Sequence, residues 1–234
     1  MVRVVILTGA GISAESGLGT FRDTDGLWAK HRLEDVATPE GFERDAALVH
    51  RFYNARRQQA AKAKANAAHL SLARLEDQLG EALLLVTQNV DNLHEKAGSR
   101  QVLHMHGRLD GALCHACGHR WTAPLEMRPE DSCPSCAVAA TRPDVVWFGE
   151  YPHGLDVIDE ALSKADVFAA IGTSGHVYPA AGFVMQAVGY GADTLQLNLE
   201  PSDTSHVFAQ TRLGKASEIV PLWVDEILEA EKGR

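Results

Sequence analysis

Positive charge is scarce in this 234-residue chain: 22 Lys and Arg stand against 31 Asp and Glu, for a formal net charge of -9. That balance argues against broad electrostatic attraction to nucleic acid or anionic membranes, which needs a surplus of cations on the binding face. Long apolar runs are missing as well. No stretch approaches the roughly 18 residues that a spanning helix requires, and the sequence opens on the strand-like residues 2–8 instead of a charged region with a cleavage site. The expectation is a cytoplasmic protein with no membrane partner. Cysteine is limited to 4 residues in two close pairs, a usage that in a reducing compartment points to a metal site more than to a disulfide framework. Internal repeats and low-complexity tracts are absent. What remains is an ordinary globular composition, long enough for one α/β domain with a smaller attachment.

The first signal lies near the start. Val4-Val5-Ile6-Leu7-Thr8 is a short apolar run suited to a buried parallel strand, and Gly9-Ala10-Gly11-Ile12-Ser13-Ala14 follows it at G-x-G-x-x-G/A spacing. Glycines at this spacing let the backbone turn tightly and approach a pyrophosphate held at the next helix's N-terminus. A hydride-transferring dinucleotide unit then reaches a second strand ending in an acid about 20 residues later. No such strand occurs before Lys30; residues 18–28 are rich in turn formers and read as a long loop.

Further along, residues 40–78 are dominated by helix formers, with a turn expected to divide two helices. Residues 82–87 form a buried-strand candidate that ends in the polar cluster Gln88-Asn89-Val90-Asp91-Asn92-Leu93-His94. The carboxyl end of a strand is where open α/β sheets bind ligands. After residues 102–107 the composition shifts, and 114–144 read as a small inserted module. The sheet is expected to resume with 145–148, then 166–171 breaking into Gly172-Thr173-Ser174, then the alternating 194–200. A last short strand is expected at 218–221, before a helix from about 222. Strands separated by helices imply a doubly wound parallel sheet. The expected class is therefore α/β, a Rossmann-like sheet with a small zinc-binding module and a helical insertion. Residues 1–30, 80–110 and 145–234 would form the main domain, 31–79 the helical segment and 111–144 the zinc module.

Cys114-His115-Ala116-Cys117 and Cys133-Pro134-Ser135-Cys136 are separated by fifteen residues, the spacing of a four-thiolate site for one structural Zn2+. Four cysteines complete a tetrahedron, so His115 and His119 are expected at the surface. Zinc ribbons also serve in nucleic-acid binding, but Arg120, Arg128 and Arg142 here sit beside Glu126, Glu130, Asp131 and Asp144, a poor phosphate-tracking surface.

Taken together, these blocks resemble the sirtuin family of NAD-dependent protein deacylases, and within it the bacterial, class III-like desuccinylase and demalonylase subgroup. The matching residues are Gly9-Ala10-Gly11-Ile12-Ser13, Ser16-Gly17, Phe21-Arg22, Gln88 to His94, His106-Gly107, the two cysteine pairs, Val145-Val146-Trp147-Phe148-Gly149-Glu150, Gly172-Thr173-Ser174 and Asn198-Leu199-Glu200. The resemblance runs through nearly the whole chain. It implies that NAD is consumed: nicotinamide leaves and the acyl group ends on ADP-ribose, which accounts for the missing dehydrogenase strand. It also implies roles. His106 matches the general base, although taken alone His104 or His94 would serve as well. Asn89 and Asp91, with Gln88, Ser13 and Arg22 nearby, match the residues at the nicotinamide-ribose end. Gly9, Ala10 and Gly11 would face the pyrophosphate, and Phe21 and Trp28 lie in a loop that would close over NAD. Gly172, Thr173, Ser174, Asn198, Leu199, Glu200 and Ala216 would hold the phosphate and adenosine parts. Val145, Val146 and Trp147 resemble the segment that pairs with the substrate backbone.

Where many members carry Pro-Asp before Phe-Arg, this chain has Gly19-Thr20, and it also carries Tyr53 and Arg56 three residues apart. In the subgroup such a pair recognises acidic acyl groups; on a helix the two side chains share a face and would grip one carboxylate together. The implied partners are NAD and succinyl-, malonyl- or acetyl-lysine proteins. ADP-ribosyl transfer to protein, or a non-catalytic NAD-sensing or nucleic-acid-binding zinc module, are the alternatives.

Overall fold

The computed structural model describes residues 1–19 and 31–233; Phe21, Arg22 and Trp28, and the loop expected around them, lie outside the described residues. The apolar run at the start forms β1 (Val4–Thr8), followed by the short helix α1 (Ala10–Ala14). The helix-forming stretch contains two breaks where one was expected. After α2 (Leu33–Val36), α3 (Pro39–Arg44) and α4 (Ala46–Lys62) are separated by Asp45, whose Oδ1 accepts the Leu48 N–H at 2.8 Å and so caps α4. α5 (Ala67–Leu79) starts from Asn66, whose Oδ1 accepts the Ala68 N–H at 3.0 Å. Then come β2 (Leu83–Thr87), α6 (Leu93–Ala97), β3 (Val102–His104), β4 (Gly107–Cys114), β5 (Arg120–Thr122), β6 (Thr141–Val145), α7 (Leu155–Leu162), β7 (Val167–Ile171), α8 (Phe183–Tyr190), β8 (Asp193–Asn198), β9 (Gln210–Leu213) and α9 (Ala216–Lys232).

Six strands make one parallel sheet in the order β3-β2-β1-β7-β8-β9. Successive strands run outward from β1 in one direction and then from β7 in the other, so the topological switch lies between those two. Side chains alternate across a strand, and both faces of β1 are covered. Val4 and Ile6 join Leu72, Leu75, Leu85, Val220 and Trp223 beneath α5 and α9. Val5 and Leu7 join Phe168, Ile158, Leu162 and Val184 beneath α7 and α8. Double coverage is why the strand reads as an unbroken apolar run.

β4, β5 and β6 form a separate antiparallel sheet in the order β5-β4-β6. This corrects the expectation for residues 145–148. Val145 ends β6 of the small sheet, paired with Gly107, and 146–148 belong to no strand. The apolar character of the segment comes from a third core, in which Val145 and Trp147 pack with Val36, Val49, Phe52, Tyr53 and Leu109. A second correction concerns residues 218–221, which lie inside α9. Val220, Trp223 and Val224 recur at the spacing of one helix face and pack under the main sheet. The final strand is instead β9, a polar, mostly exposed edge strand with too little apolar alternation to stand out in sequence.

Candidate functional site

The carboxyl ends of β1 and β7 meet at the switch point, the usual place for a ligand crevice in an open α/β sheet. Two glycine turns lock together there. Gly9 N–H donates to Ile171 O and Gly11 N–H to Gly172 O, each at 2.9 Å. A Cβ on Gly11 would lie 2.7 Å from Gly172 Cα, and Gly172 itself has φ +64° with Ile12 N against the place of its Cβ. The loops therefore approach to a distance that only glycine permits.

Around this floor the expected residues assemble. Asn89 Nδ2 donates to Gly9 O at 3.1 Å and to Ser13 Oγ at 3.2 Å, and Ser13 donates to Asp91 Oδ2 at 3.2 Å. The other Asp91 oxygen accepts the Leu93 N–H at 3.0 Å. Burial pushes the Asp91 carboxyl up from its ordinary value, against the hydrogen bonds from Leu93 and Ser13 that favour its charge. Behind the floor, Thr87 Oγ1 accepts the Asn89 N–H at 3.0 Å and lies 2.8 Å from Thr8 Oγ1, which in turn is 2.9 Å from His94 Nε2. The neighbouring His69 ring, 4.9 Å from His94, places Nε2 3.5 Å from Ser13 Oγ. Asn66, at the cap of α5, also donates to Ile12 O at 2.8 Å and ties that helix to α1. Thr8, Thr87, His69 and Asn66 were not legible as site residues; their partners are distant in sequence.

Three histidines compete for the role of base, and burial and partners together separate them. His94 is buried against Thr8. His104 has Nδ1 3.1 Å from Asn89 O and Nε2 2.8 Å from Glu95 Oε1, so both nitrogens are engaged. His106 is half-buried, and its Nδ1 donates to Gln88 O at 3.2 Å. That bond fixes the tautomer and leaves Nε2 as the lone-pair nitrogen. Burial lowers the pKa of His106 below its ordinary 6.5, which keeps the imidazole neutral near pH 7. Its carbonyl accepts the Val146 N–H at 2.9 Å, so the histidine is fastened to the segment after β6.

The later strands supply the remaining residues. Thr173 N–H donates to Asn198 Oδ1 at 3.0 Å, and Asn198 Nδ2 donates to Thr173 O at 2.8 Å. Asn198 thus braces the Gly172-Thr173-Ser174 loop from the adjacent strand. Leu199 and Glu200 are exposed at the rim, and Ala216 opens α9. Next to Ala216, Ser217 donates through N and Oγ to Glu15, at 3.1 and 2.6 Å, and this joins α9 to α1. In the segment after β6, Val146, Trp147 and Phe148 commit their N–H groups to His106 O, Glu150 Oε2 and Ala37 O. An incoming peptide backbone finds no spare donor at those three positions.

Tyr53 and Arg56 lie on α4. Tyr53 is buried, with Oη accepting the Trp147 indole N–H at 3.1 Å, and the Arg56 guanidinium carbon is 5.6 Å from the Tyr53 ring centroid. Burial lowers the Arg56 pKa, opposed by the favourable charges of Tyr53 and Asp91. The Arg56 guanidinium therefore feels the Asp91 carboxylate on the floor of the site. Arg57, one residue on, has a different task. It donates to Leu109 O at 3.3 Å and to Asn54 Oδ1 at 2.5 Å, and so holds α4 to the small sheet.

Beyond β4 the four thiols converge. Cys114 and Cys136 Sγ are 3.7 Å apart, Cys117 and Cys133 Sγ 3.8 Å, and all four lie within 4.8 Å of one another. A disulfide needs about 2.05 Å; a tetrahedron with Zn–S bonds of about 2.3 Å has edges of about 3.8 Å. The donors and their spacing fit a closed structural zinc site.

Comparison with known proteins agrees with this arrangement. The "Sir2 family" profile matches residues 9–179. The "NAD-dependent protein deacylase" of Escherichia coli strain K12 is 57% identical over 235 residues, covering 98% of this chain and 84% of its own. That of Caulobacter vibrioides is 54% identical over 232 residues, covering 97% and 98%. The crystal structure of a Sir2 homolog–NAD complex superposes with a TM-score of 0.89 at 37% identity, covering 97% of this chain and 90% of that one. With a doubly wound sheet, a cysteine-held module and relatives matched along almost the full length, the chain belongs to the Sir2 family.

Proposed function

We propose that this chain is an NAD-dependent protein lysine deacylase that removes succinyl, malonyl and also acetyl groups, moving the acyl group to ADP-ribose with release of nicotinamide. The observation that carries the reading is His106: its Nδ1 hydrogen is spent on Gln88 O, which leaves Nε2 as the lone-pair nitrogen, and Gln88 is followed directly by Asn89, whose side chain is bonded into the floor with Gly9 and Ser13. NAD is a substrate, lying across the carboxyl ends of β1, β2, β7 and β8. Gly9, Ala10 and Gly11 face its pyrophosphate, and Gly172, Thr173, Ser174, Leu199, Glu200 and Ala216 its adenosine half, with Asn198 fixing the loop. Ser13, Gln88, Asn89 and Asp91 orient the ribose from which nicotinamide departs. As nicotinamide departs, the acyl-lysine carbonyl oxygen would take its place on the ribose carbon; His106 Nε2 would then accept the proton of a ribose hydroxyl, so that this oxygen attacks the acyl carbon, and water would complete the break that frees the lysine amine. Val145, Val146 and Trp147 wall the channel in which acyl-lysine lies. The resemblance assigns Phe21, Arg22 and Trp28, which lie outside the described residues, to NAD binding. Cys114, Cys117, Cys133 and Cys136 hold one Zn2+, whose task is to fix the small sheet. The excess of acidic residues favours protein over nucleic acid as the partner.

Acyl choice follows from Tyr53 and Arg56, a phenol and a guanidinium that can bind one carboxylate together. Peptides bearing succinyl-, malonyl- or acetyl-lysine, incubated with NAD and read by mass spectrometry, should lose acyl groups only when NAD is present, with O-acyl-ADP-ribose formed in step. A His106→Ala variant with full activity would refute the assigned base. Arg56→Met removes a charge-assisted contact worth about 1.5–3 kcal/mol and should cut desuccinylation at least tenfold more than deacetylation. Equal losses would remove the carboxylate clamp.

A further inference from the structure

We propose that Trp147, clamped by Arg142, fixes the direction of the Tyr53 hydroxyl and thereby the preference for acyl groups that end in a carboxylate; the proposal rests on the acyl-recognition reading of Tyr53 and Arg56. Tyr53 and Trp147 are 2% and 3% exposed, and the indole Nε1 donates to Tyr53 Oη at 3.1 Å across 94 residues of sequence. An indole N–H can only donate, so the phenolic oxygen must accept and its own hydrogen must point elsewhere. Arg56, the neighbouring polar group, also carries donors only and cannot take that hydrogen. Burial pushes the Tyr53 phenol above its ordinary value, so the hydrogen is present at neutral pH. The phenolic hydrogen therefore points away from both Trp147 and Arg56, and in the acyl-recognition reading it is the donor that meets the acceptor brought by the acyl chain. A terminal carboxylate is such an acceptor; an acetyl methyl is not.

Arg142 holds the indole in place. Its Cζ lies 3.5 Å from the Trp147 ring centroid, and its two terminal nitrogens donate to Glu150 at 2.6 and 2.9 Å. Glu150 Oε2 also accepts the Trp147 backbone N–H at 2.8 Å. One carboxylate thus fixes both the cation above the ring and the backbone beneath it. A cation over the face draws electron density from the indole, which strengthens its N–H as a donor. Arg142 sits on β6, in the sheet that carries the cysteines, so the small module reaches the acyl pocket through a side-chain chain of Glu150, Arg142, Trp147 and Tyr53. The spacing of Tyr53 and Arg56 cannot reveal this chain, because its members come from α4, β6 and the loop after it.

The test compares kcat/KM for succinyl- and acetyl-lysine versions of one peptide at saturating NAD. Trp147→Phe keeps the aromatic body and removes the donor. It should lower the succinyl-to-acetyl ratio about tenfold, equivalent to about 1.4 kcal/mol, chiefly by raising KM for the succinyl peptide. Arg142→Lys, which keeps the charge and loses the planar stack, should lower the ratio about threefold with acetyl turnover within about twofold of the parent. In a Tyr53→Phe background, Trp147→Phe should change the ratio no further, because there is no hydroxyl left to direct. Equal loss of both activities in Trp147→Phe and Arg142→Lys would overturn the proposal, as would an undiminished effect of Trp147→Phe in the Tyr53→Phe background. The underlying reading fails separately: Arg56→Met leaves the indole contact intact, so an unchanged ratio in that variant would discredit the acyl-recognition pair itself. A collapse of the ratio in Arg56→Met and Tyr53→Phe alone would leave that pair standing and exclude Trp147.

Discussion

Acid should unfold this protein through His69. The ring is fully buried beneath Ser13, and burial lowers its pKa from the ordinary 6.5 to about 4. Between those two values the unfolded chain binds a proton that the folded chain refuses, so stability is intact above about pH 6.5 and falls as the pH drops toward 4. The whole window is worth about 3 kcal/mol, and roughly 2 kcal/mol of it is already lost at about pH 5. His94, 4.9 Å away, is lowered in the same direction by burial and by the charge His69 would carry. Protonating either ring would therefore oppose protonating the other. Urea unfolding at about pH 7.5 and about pH 5 measures the loss, expected as a fall of roughly 1 M in the midpoint from His69 alone. His69→Gln retains a polar group without the titration. Its stability at neutral pH will differ from the parent, but its stability should depend on pH less by about 2 kcal/mol over that interval. If parent and variant lose the same stability on acidification, His69 is not held neutral in the fold and the account of the buried floor is wrong.

Two further outcomes follow from the same geometry. His106 must be neutral to accept a proton, and its pKa is lowered by burial, so kcat/KM measured in short assays should hold below pH 6.5 and then fall about tenfold per pH unit; an acid limb centred above 6.5 would contradict the assignment of His106 as base. The protein should carry one zinc per chain by elemental analysis, and Cys133→Ser should lower both zinc content and melting temperature. The local core of Cys114, Cys133 and Ala140 is small, so the module depends on its metal. A metal-free protein with unchanged melting would show the thiols to be mere packing.

Legibility in the sequence followed the distance over which each feature is specified. The cysteine quartet and the glycine turn are fixed by local spacing, and both were readable. Even there the spacing shows only half the reason, because Gly9 and Gly11 are also required by the approach of Gly172, in the turn after β7 and more than a hundred residues away in sequence. β9 escaped detection because an edge strand buries little and so needs no apolar alternation. The apolar run at 145–148 declares burial, not the sheet or core that provides it. The motif position of Asn198 gives no sign that its amide braces the Thr173 backbone, because that partner lies on another strand's turn.

The three histidines show the limit most clearly. His94, His104 and His106 are equivalent as residue types, and nothing in their flanking sequence distinguishes a lone-pair nitrogen from one already engaged. The choice is made by Thr8, Glu95 and Gln88, each the partner of a different ring. The His104 ring has both nitrogens engaged, the His94 ring is fully buried with only Nε2 partnered, and His106 donates one hydrogen to Gln88 O while staying half-buried. The choice of base proposed for this chain therefore rests on the partners and the burial that the fold supplies to each imidazole.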